Sequence, residues 1–340
     1  MRLRHAVIPL VLTAVFSACA AGQDDGPRAG KKTTGETVAG LDQAIFYIFQ
    51  GKDNTYWFGS NERGVYRYDG KSLINFTTKD GLAGDRIRGI QEDMSGNVYV
   101  TTYEGISRFD GKAFTTLGVS PRSDWKKEPG DLWFVGPPDT GVVYRYDGTA
   151  LHRLPLPKSK VGEEAAARFP RSKYPNAIFS PYDVYTIATD RGGNVWFGTA
   201  AAGACRFDGR SFSWLFERHL TETPAGGSFG IRSILEDKDG AFWLCNTRHR
   251  YVIDPKGVPD AESGLMKYRR EPGVGRLKAP NGDDHMYFMS AVDDAKGVLW
   301  MASGGFGVWR YDGDTVTRYP VRDGAKEVTL FSVYKDNRGD

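Results

Sequence analysis

Cysteine and histidine are scarce in this chain, whose 340 residues include three Cys and five His. No C-x-x-C pair and no H-x-x-x-H spacing occurs, so the sequence prescribes no structural zinc site. His152, His219, His249 and His285 are scattered one to a region, and Asp283-Asp284-His285 reads more simply as a solvated acidic loop than as a metal site. Neither a metal nor a cofactor is expected. Charge of one sign is lacking too: 45 Lys and Arg face 42 Asp and Glu, a net +3 with no basic block. That removes the electrostatic footprint of nucleic-acid binding. Beyond the first twenty residues no apolar run of membrane-spanning length occurs, so no fused membrane kinase or channel is expected within this chain.

What is present points to a globular all-β protein. The chain is 40% hydrophobic and 26% charged, with 13% aromatics, 42 Gly and 17 Pro, a composition suited to many short strands joined by tight turns. Its start is a targeting segment. Arg2 and Arg4 precede an apolar run from Ala6 to Phe16 and the small residues Ser17-Ala18-Cys19-Ala20, the pattern of a signal peptide over residues 1–20. Cleavage after Ala20 competes with cleavage before Cys19 and lipidation of its thiol. The second is favoured, because the segment resembles a bacterial lipobox, with Phe16 where Leu is usual. Residues 21–40 are small and polar and read as a flexible tether. The expected location is therefore outside the cytoplasm, in the periplasm or on the outer membrane, with the lipid anchor as the only membrane contact. Cys205 and Cys245 could bridge in an oxidising compartment, but their different repeat units favour two separately buried thiols.

Self-comparison is the most informative operation on this sequence. One phrase is an acidic turn, a Gly and an aromatic-centred strand: DMSGNVYV from Asp93, DRGGNVWFGT from Asp190, DKDGAFWLCN from Asp237 and DAKGVLWMAS from Asp294. GKDNTYWFGS from Gly51 and PGDLWFVG from Pro129 are degenerate copies. A second phrase follows each: YRYDGKSL, SRFDGKAF, YRYDGTAL, CRFDGRSF and WRYDGDTV, with only YVIDPKG after Trp243. The aromatic anchors fall at Trp57, Tyr99, Trp133, Trp196, Trp243 and Trp300. Each unit carries two turn signals and so reads as four antiparallel strands, which is one propeller blade. The expected fold is a β-propeller of six clear repeats plus the start of a seventh, since Val328–Asp340 aligns with Gly230–Ala241 and stops where the aromatic strand should begin. Seven blades with an incomplete C-terminus are expected; the alternative is a last strand that completes a six-bladed ring. The propeller is assigned to residues 41–340, with insertions at 154–182 and 255–284.

The recurring D-x-x-G-x-[VFL]-W-[FLM] followed by G-[VI]-x-R-[YF]-D-G resembles the two-component regulator propeller family over about residues 44–340. The resemblance implies ligand sensing, commonly of glycans, at the central face, in a stand-alone secreted or lipoprotein form. It leaves a glycan, another small polar ligand or an envelope protein partner as the expected binding partner.

Catalytic signals are weak. Gly226–Gly230 matches G-x-S-x-G, but a strand follows the Ser where a nucleophile elbow needs a helix. Asp237-Lys238-Asp239-Gly240 starts like a calcium loop, yet its twelfth position is Arg248 rather than Glu. No catalytic residue is assigned, and a propeller lyase or hydrolase at the central face stays as the alternative to binding. The position eleven residues before each aromatic anchor reads Phe46, Arg88, Arg122, Tyr185, Arg232 and Met289, with Phe331 aligned in the last unit. Simple alternation would put Arg88, Tyr185 and Arg232 on the same face as Ile90, Ile187 and Ile234, near the rim. Arg88, Tyr185, Arg232 and His285 are the expected ligand-site residues, against the competing view that the arginines only close salt bridges.

Overall fold

The computed structural model describes residues 35–121, 124–168, 180–222, 229–254, 257–275, 287–294, 296–303 and 307–339. Its local logic begins at the acidic turns. The Asp side chain accepts backbone N–H groups two and four residues on: Asp93 from Ser95 and Asn97, Asp237 from Asp239 and Ala241, Asp294 from Lys296 and Val298. The Gly that follows is left-handed, with φ of 84° at Gly96 and 82° at Gly240. In the first copy Asn54 takes that position at φ 62°, the kind of residue that tolerates this region best after Gly.

These turns assemble six four-stranded blades, each inner strand lying beside the next. Blade 1 runs outward through Ile45–Gln50, Tyr56–Ser60, Val65–Tyr68 and Leu73–Phe76, with Glu36–Thr37 added outside. Blades 2 and 4 repeat the pattern from Ile87–Glu92 and Val184–Thr189, and blades 5 and 6 from Ile234–Glu236 and Ser290–Asp293. The outer strand of blade 5, Tyr268–Pro272, lies inside the stretch 255–284 that the repeat register treats as an insertion. In the other such stretch a helix spans Lys160–Arg168.

The core is not one centre but a series of slabs between blades, because each sheet buries both faces against its neighbours. The anchor of each blade packs on the blade after it. Trp57 meets Phe109 and Phe114 of blade 2, Tyr99 meets Phe134 and Tyr146 of blade 3, Trp133 meets Phe197 of blade 4, and Trp196 meets Phe242 of blade 5. These rings are buried. Cys205 and Cys245 are buried free thiols within such slabs. Trp300 is only half-buried and stacks on Tyr319 of its own blade, since no full blade follows it.

Two places depart from the repeat. In blade 3 the fourth strand, Val119–Ser120, pairs parallel on the outer edge of Leu151–Pro155, so Leu132–Val135 faces the axis where the other blades have a further strand. The Gly136 N–H bonds the Val142 carbonyl, and antiparallel alternation therefore turns the backbone groups of Trp133 and Val135 inward. Blade 2 side chains cover part of that edge: Gln91 Nε2 donates to the Trp133 carbonyl at 2.6 Å and Arg88 to the Gly136 carbonyl. The second departure is the C-terminal segment, which lies between blades 6 and 1. Ser290 donates to the Val333 carbonyl, the Gln50 N–H bonds the Tyr334 hydroxyl, and Phe331 stacks on Phe46 at 4.0 Å. Asp336–Gly339 closes a turn of the repeat type, with the Gly339 N–H on the Asp336 carbonyl. The segment thus occupies an inner position between blades 6 and 1.

Candidate functional site

A cavity of about 570 Å³ opens on the axis at one face of the ring. Every described member of the position eleven residues before an anchor lines it: Phe46, Arg88, Tyr185, Arg232, Met289 and Phe331. Simple alternation does not put them there. The pairing of the inner strands slips between Ile45 and Tyr47, Ile87 and Gly89, and Val184 and Thr186, so Phe46, Arg88 and Tyr185 are each the extra residue of a β-bulge. A bulge re-aims one side chain and shifts the phase of the strand. Hence Ile87 and Ile90, three apart, both pack in the slab between blades 1 and 2, and Val184 and Ile187 do likewise between blades 3 and 4. Arg88 and Tyr185 therefore do not share the aliphatic face, contrary to the sequence expectation, and turn to the axis instead.

The three basic residues of the cavity are held in different ways. Arg88 reaches across the open edge of blade 3 and donates to the carbonyls of Gly136 and of Val184, the latter at 3.1 Å. Arg232 lies over the Tyr185 ring at 4.4 Å, with Nε on the Phe229 carbonyl at 3.1 Å. Arg86 lies over the Tyr103 ring at 4.0 Å. Among the described residues none of the three forms a salt bridge. Among the described lining residues the one acid is Asp183. Burial raises its carboxyl above the usual range, opposed by the Asp139 N–H and the Arg88 charge. Burial also raises the phenols of Tyr47 and Tyr185, both of which feel the charges of Arg88 and Arg232.

His285 and Cys19 lie outside the described residues, as does Arg122. The described histidines stand away from the cavity. His152 pairs with Asp147 at 2.8 Å. His219 belongs to a closed cluster in which its Nε2 meets the Tyr251 hydroxyl at 3.0 Å, and Glu217 accepts from Tyr251 and Tyr268. No group of three metal-ligating side chains occurs among the described residues. Arg86, Tyr103 and Asp183 escape a sequence reading, because they sit in loops outside the repeated phrases; only the folding of those loops brings them to the cavity.

Six blades around a polar, aromatic-walled axial cavity define a β-propeller with an open axial cavity. The chain carries the repeat of the two component regulator propeller family, whose model matches residues 178–201, the inner and anchor strands of blade 4. No curated protein sequence matches the chain. Among solved structures it is similar to the extracellular domain described as part of a one component system of B. thetaiotaomicron, at 17% identity and a TM-score of 0.58, covering 91% of this chain and 38% of that one. This chain thus spans little more than a third of that relative. It is also similar to virginiamycin B lyase from Staphylococcus aureus, solved with quinupristin, at 14% identity and a TM-score of 0.57 over 88% of this chain and 92% of that one. PorZ, a surface component of the type-IX secretion system of Porphyromonas gingivalis, is similar at 14% identity and 0.51, covering 82% and 42%. At such identities the likeness is one of fold. No described helix is long and apolar enough to cross a membrane.

Proposed function

We propose that this chain is a non-enzymatic sensor propeller of the bacterial cell envelope, exported and tethered by lipid on Cys19, which takes a saccharide or similar polar ligand in its axial cavity and passes the state on to an envelope protein partner. The observation that carries the reading is the convergence of one bulged or rim position from successive blades, with Arg88, Tyr185 and Arg232 around a single cavity. Ring faces for stacking and guanidinium forks for oxygen are what sugar recognition uses. The family repeat and the fold shared with an extracellular sensor domain support it. The lyase reading is favoured by the similar size of the Staphylococcus enzyme, but the described lining offers no histidine as general acid or base.

The test is a thermal-shift screen of the folded chain against envelope glycans, followed by calorimetry on Tyr185→Ala. Stabilisation lost in that variant supports the cavity. Hits whose affinity stays within about twofold of wild type in Tyr185→Ala, a change too small for a lost stacking face, remove it.

A further inference from the structure

The near-neutral composition hides a local imbalance. Among the described residues, three guanidinium groups, Arg86, Arg88 and Arg232, line the axial cavity against the one carboxyl of Asp183. That carboxyl is already engaged by the backbone N–H groups of Asp139 and Thr140, and its burial disfavours the charge that would offset the arginines. The described lining is therefore electropositive.

The arginines divide by what remains free on each. Arg88 spends its terminal nitrogens on the Gly136 and Val184 carbonyls, so it acts as a brace and a fixed charge. Arg232 spends only Nε, on Phe229. Its guanidinium lies over two aromatic rings, 4.4 Å from the Tyr185 ring centre and 5.5 Å from that of Phe229, and among the described residues its two terminal nitrogens have no hydrogen-bond or ion-pair partner. Among the described residues the Arg86 guanidinium is held by the Tyr103 face. A ring face fixes a guanidinium from the side and leaves its in-plane N–H fork open, which is the geometry for receiving two oxygens of one anion. By contrast, the buried Arg145 sits against an acid, Asp131, at 2.6 Å.

We infer that the ligand of this cavity bears an oxyanion, a carboxylate or sulfate on a saccharide, received by the open fork of Arg232 with Arg86 as a second cation at the mouth. This rests on the reading of the cavity as the ligand site. Tyr103 and Tyr185 then serve as positioning residues for the two forks, and Asn61 and Ser332 are polar groups of the described lining that can meet sugar hydroxyls.

The experiment is an array of matched saccharides, each neutral backbone printed beside its uronate and its sulfated form, probed with the full chain, with Arg232→Gln, with Arg232→Lys and with Tyr185→Ala, all checked for folding by circular dichroism. The inference expects the acidic members to bind and their neutral parents to fail, uronate against sulfate identifying the source of the anion. Arg232→Gln should lose about tenfold or more in affinity, Arg232→Lys should recover only part of it, and binding should weaken as salt rises. Neutral parents bound as tightly as their acidic forms, lost in Tyr185→Ala but kept in Arg232→Gln, would overturn the oxyanion while leaving the cavity as the site. Binding insensitive to all three variants, or no binding on the array, overturns the cavity reading itself.

Discussion

The indole Nε1 of Trp196 donates a 2.8 Å hydrogen bond to Oδ2 of Asp190, six residues earlier. Asp237 receives the same bond from Trp243 at 2.9 Å, and Asp93 receives one from the Tyr99 hydroxyl at 2.9 Å. In each case the other carboxylate oxygen, Oδ1, closes the turn by accepting backbone N–H groups. The acidic turn and the aromatic anchor are therefore one device. A single Asp sets the hairpin and fixes the ring that packs on the next blade, which is why the two recur at constant spacing.

Truncating the anchors should show the direction of that packing. Trp196→Ala and Trp243→Ala should each cost about 3–5 kcal/mol, because each removes a fully buried ring pressed on the following blade. Trp300→Ala should cost roughly half as much or less, since Trp300 lacks a full following blade and is half-exposed. Urea unfolding of the three variants measures this; equal losses at all three would contradict the blade-to-blade assignment.

The shared Asp should matter more where its ring is buried. Asp237→Ala leaves the Trp243 N–H without its acceptor and frees the turn, at about 3 kcal/mol. Asp294→Ala should cost about 1 kcal/mol, because the half-exposed Trp300 can turn to water. A larger loss at Asp294 than at Asp237, read from the same denaturation midpoints, would count against the device.

Acid should unfold the propeller through its turns. The Asp69 carboxyl is held below its usual range by the N–H groups of Ser72 and Lys71, and that of Asp110 by those of Ala113 and Lys112. Unfolding returns both to about 4. The folded chain therefore binds these protons less readily than the unfolded chain, so their stabilisation is complete above about pH 4 and is lost as pH falls through the lowered folded values. Asp183, with its carboxyl raised by burial, acts in the opposite sense and is outnumbered. The urea midpoint should hold steady from neutral pH down to about 5 and drop below about 4, less steeply in Asp110→Asn. A midpoint that stays level into strong acid would sink the argument.

Membrane attachment should depend on one thiol. Radiolabelled palmitate should enter the expressed protein and be lost in Cys19→Ser, which should leave the membrane fraction. Labelling unchanged in that variant, or a soluble mature form beginning at Ala21, would rule out the anchor.

The blade pattern was legible from sequence because each of its constraints is local. An Asp that must cap a turn, a Gly that must take positive φ and a ring six residues after the Asp all act within one hairpin, so they repeat visibly in the chain. The degenerate copy with Asn54 remained readable for the same reason, since Asn is the closest substitute for Gly in the left-handed region. Convergence of the position holding Arg88, Tyr185 and Arg232 was also inferable, since ring symmetry brings equivalent positions to one axis. What only the tertiary structure decided is non-local. The bulges that turn Arg88 and Tyr185 inward exist because paired strands differ in length by one residue, a property of two segments together. The outward relocation of the fourth strand of blade 3, and the use of Arg88 and Gln91 to cover the edge it leaves, depend on neighbours far away in the chain. The setting of Arg232 is likewise a fact about what stands next to it, a tyrosine face and the Phe229 carbonyl, and no spacing within the sequence encodes that.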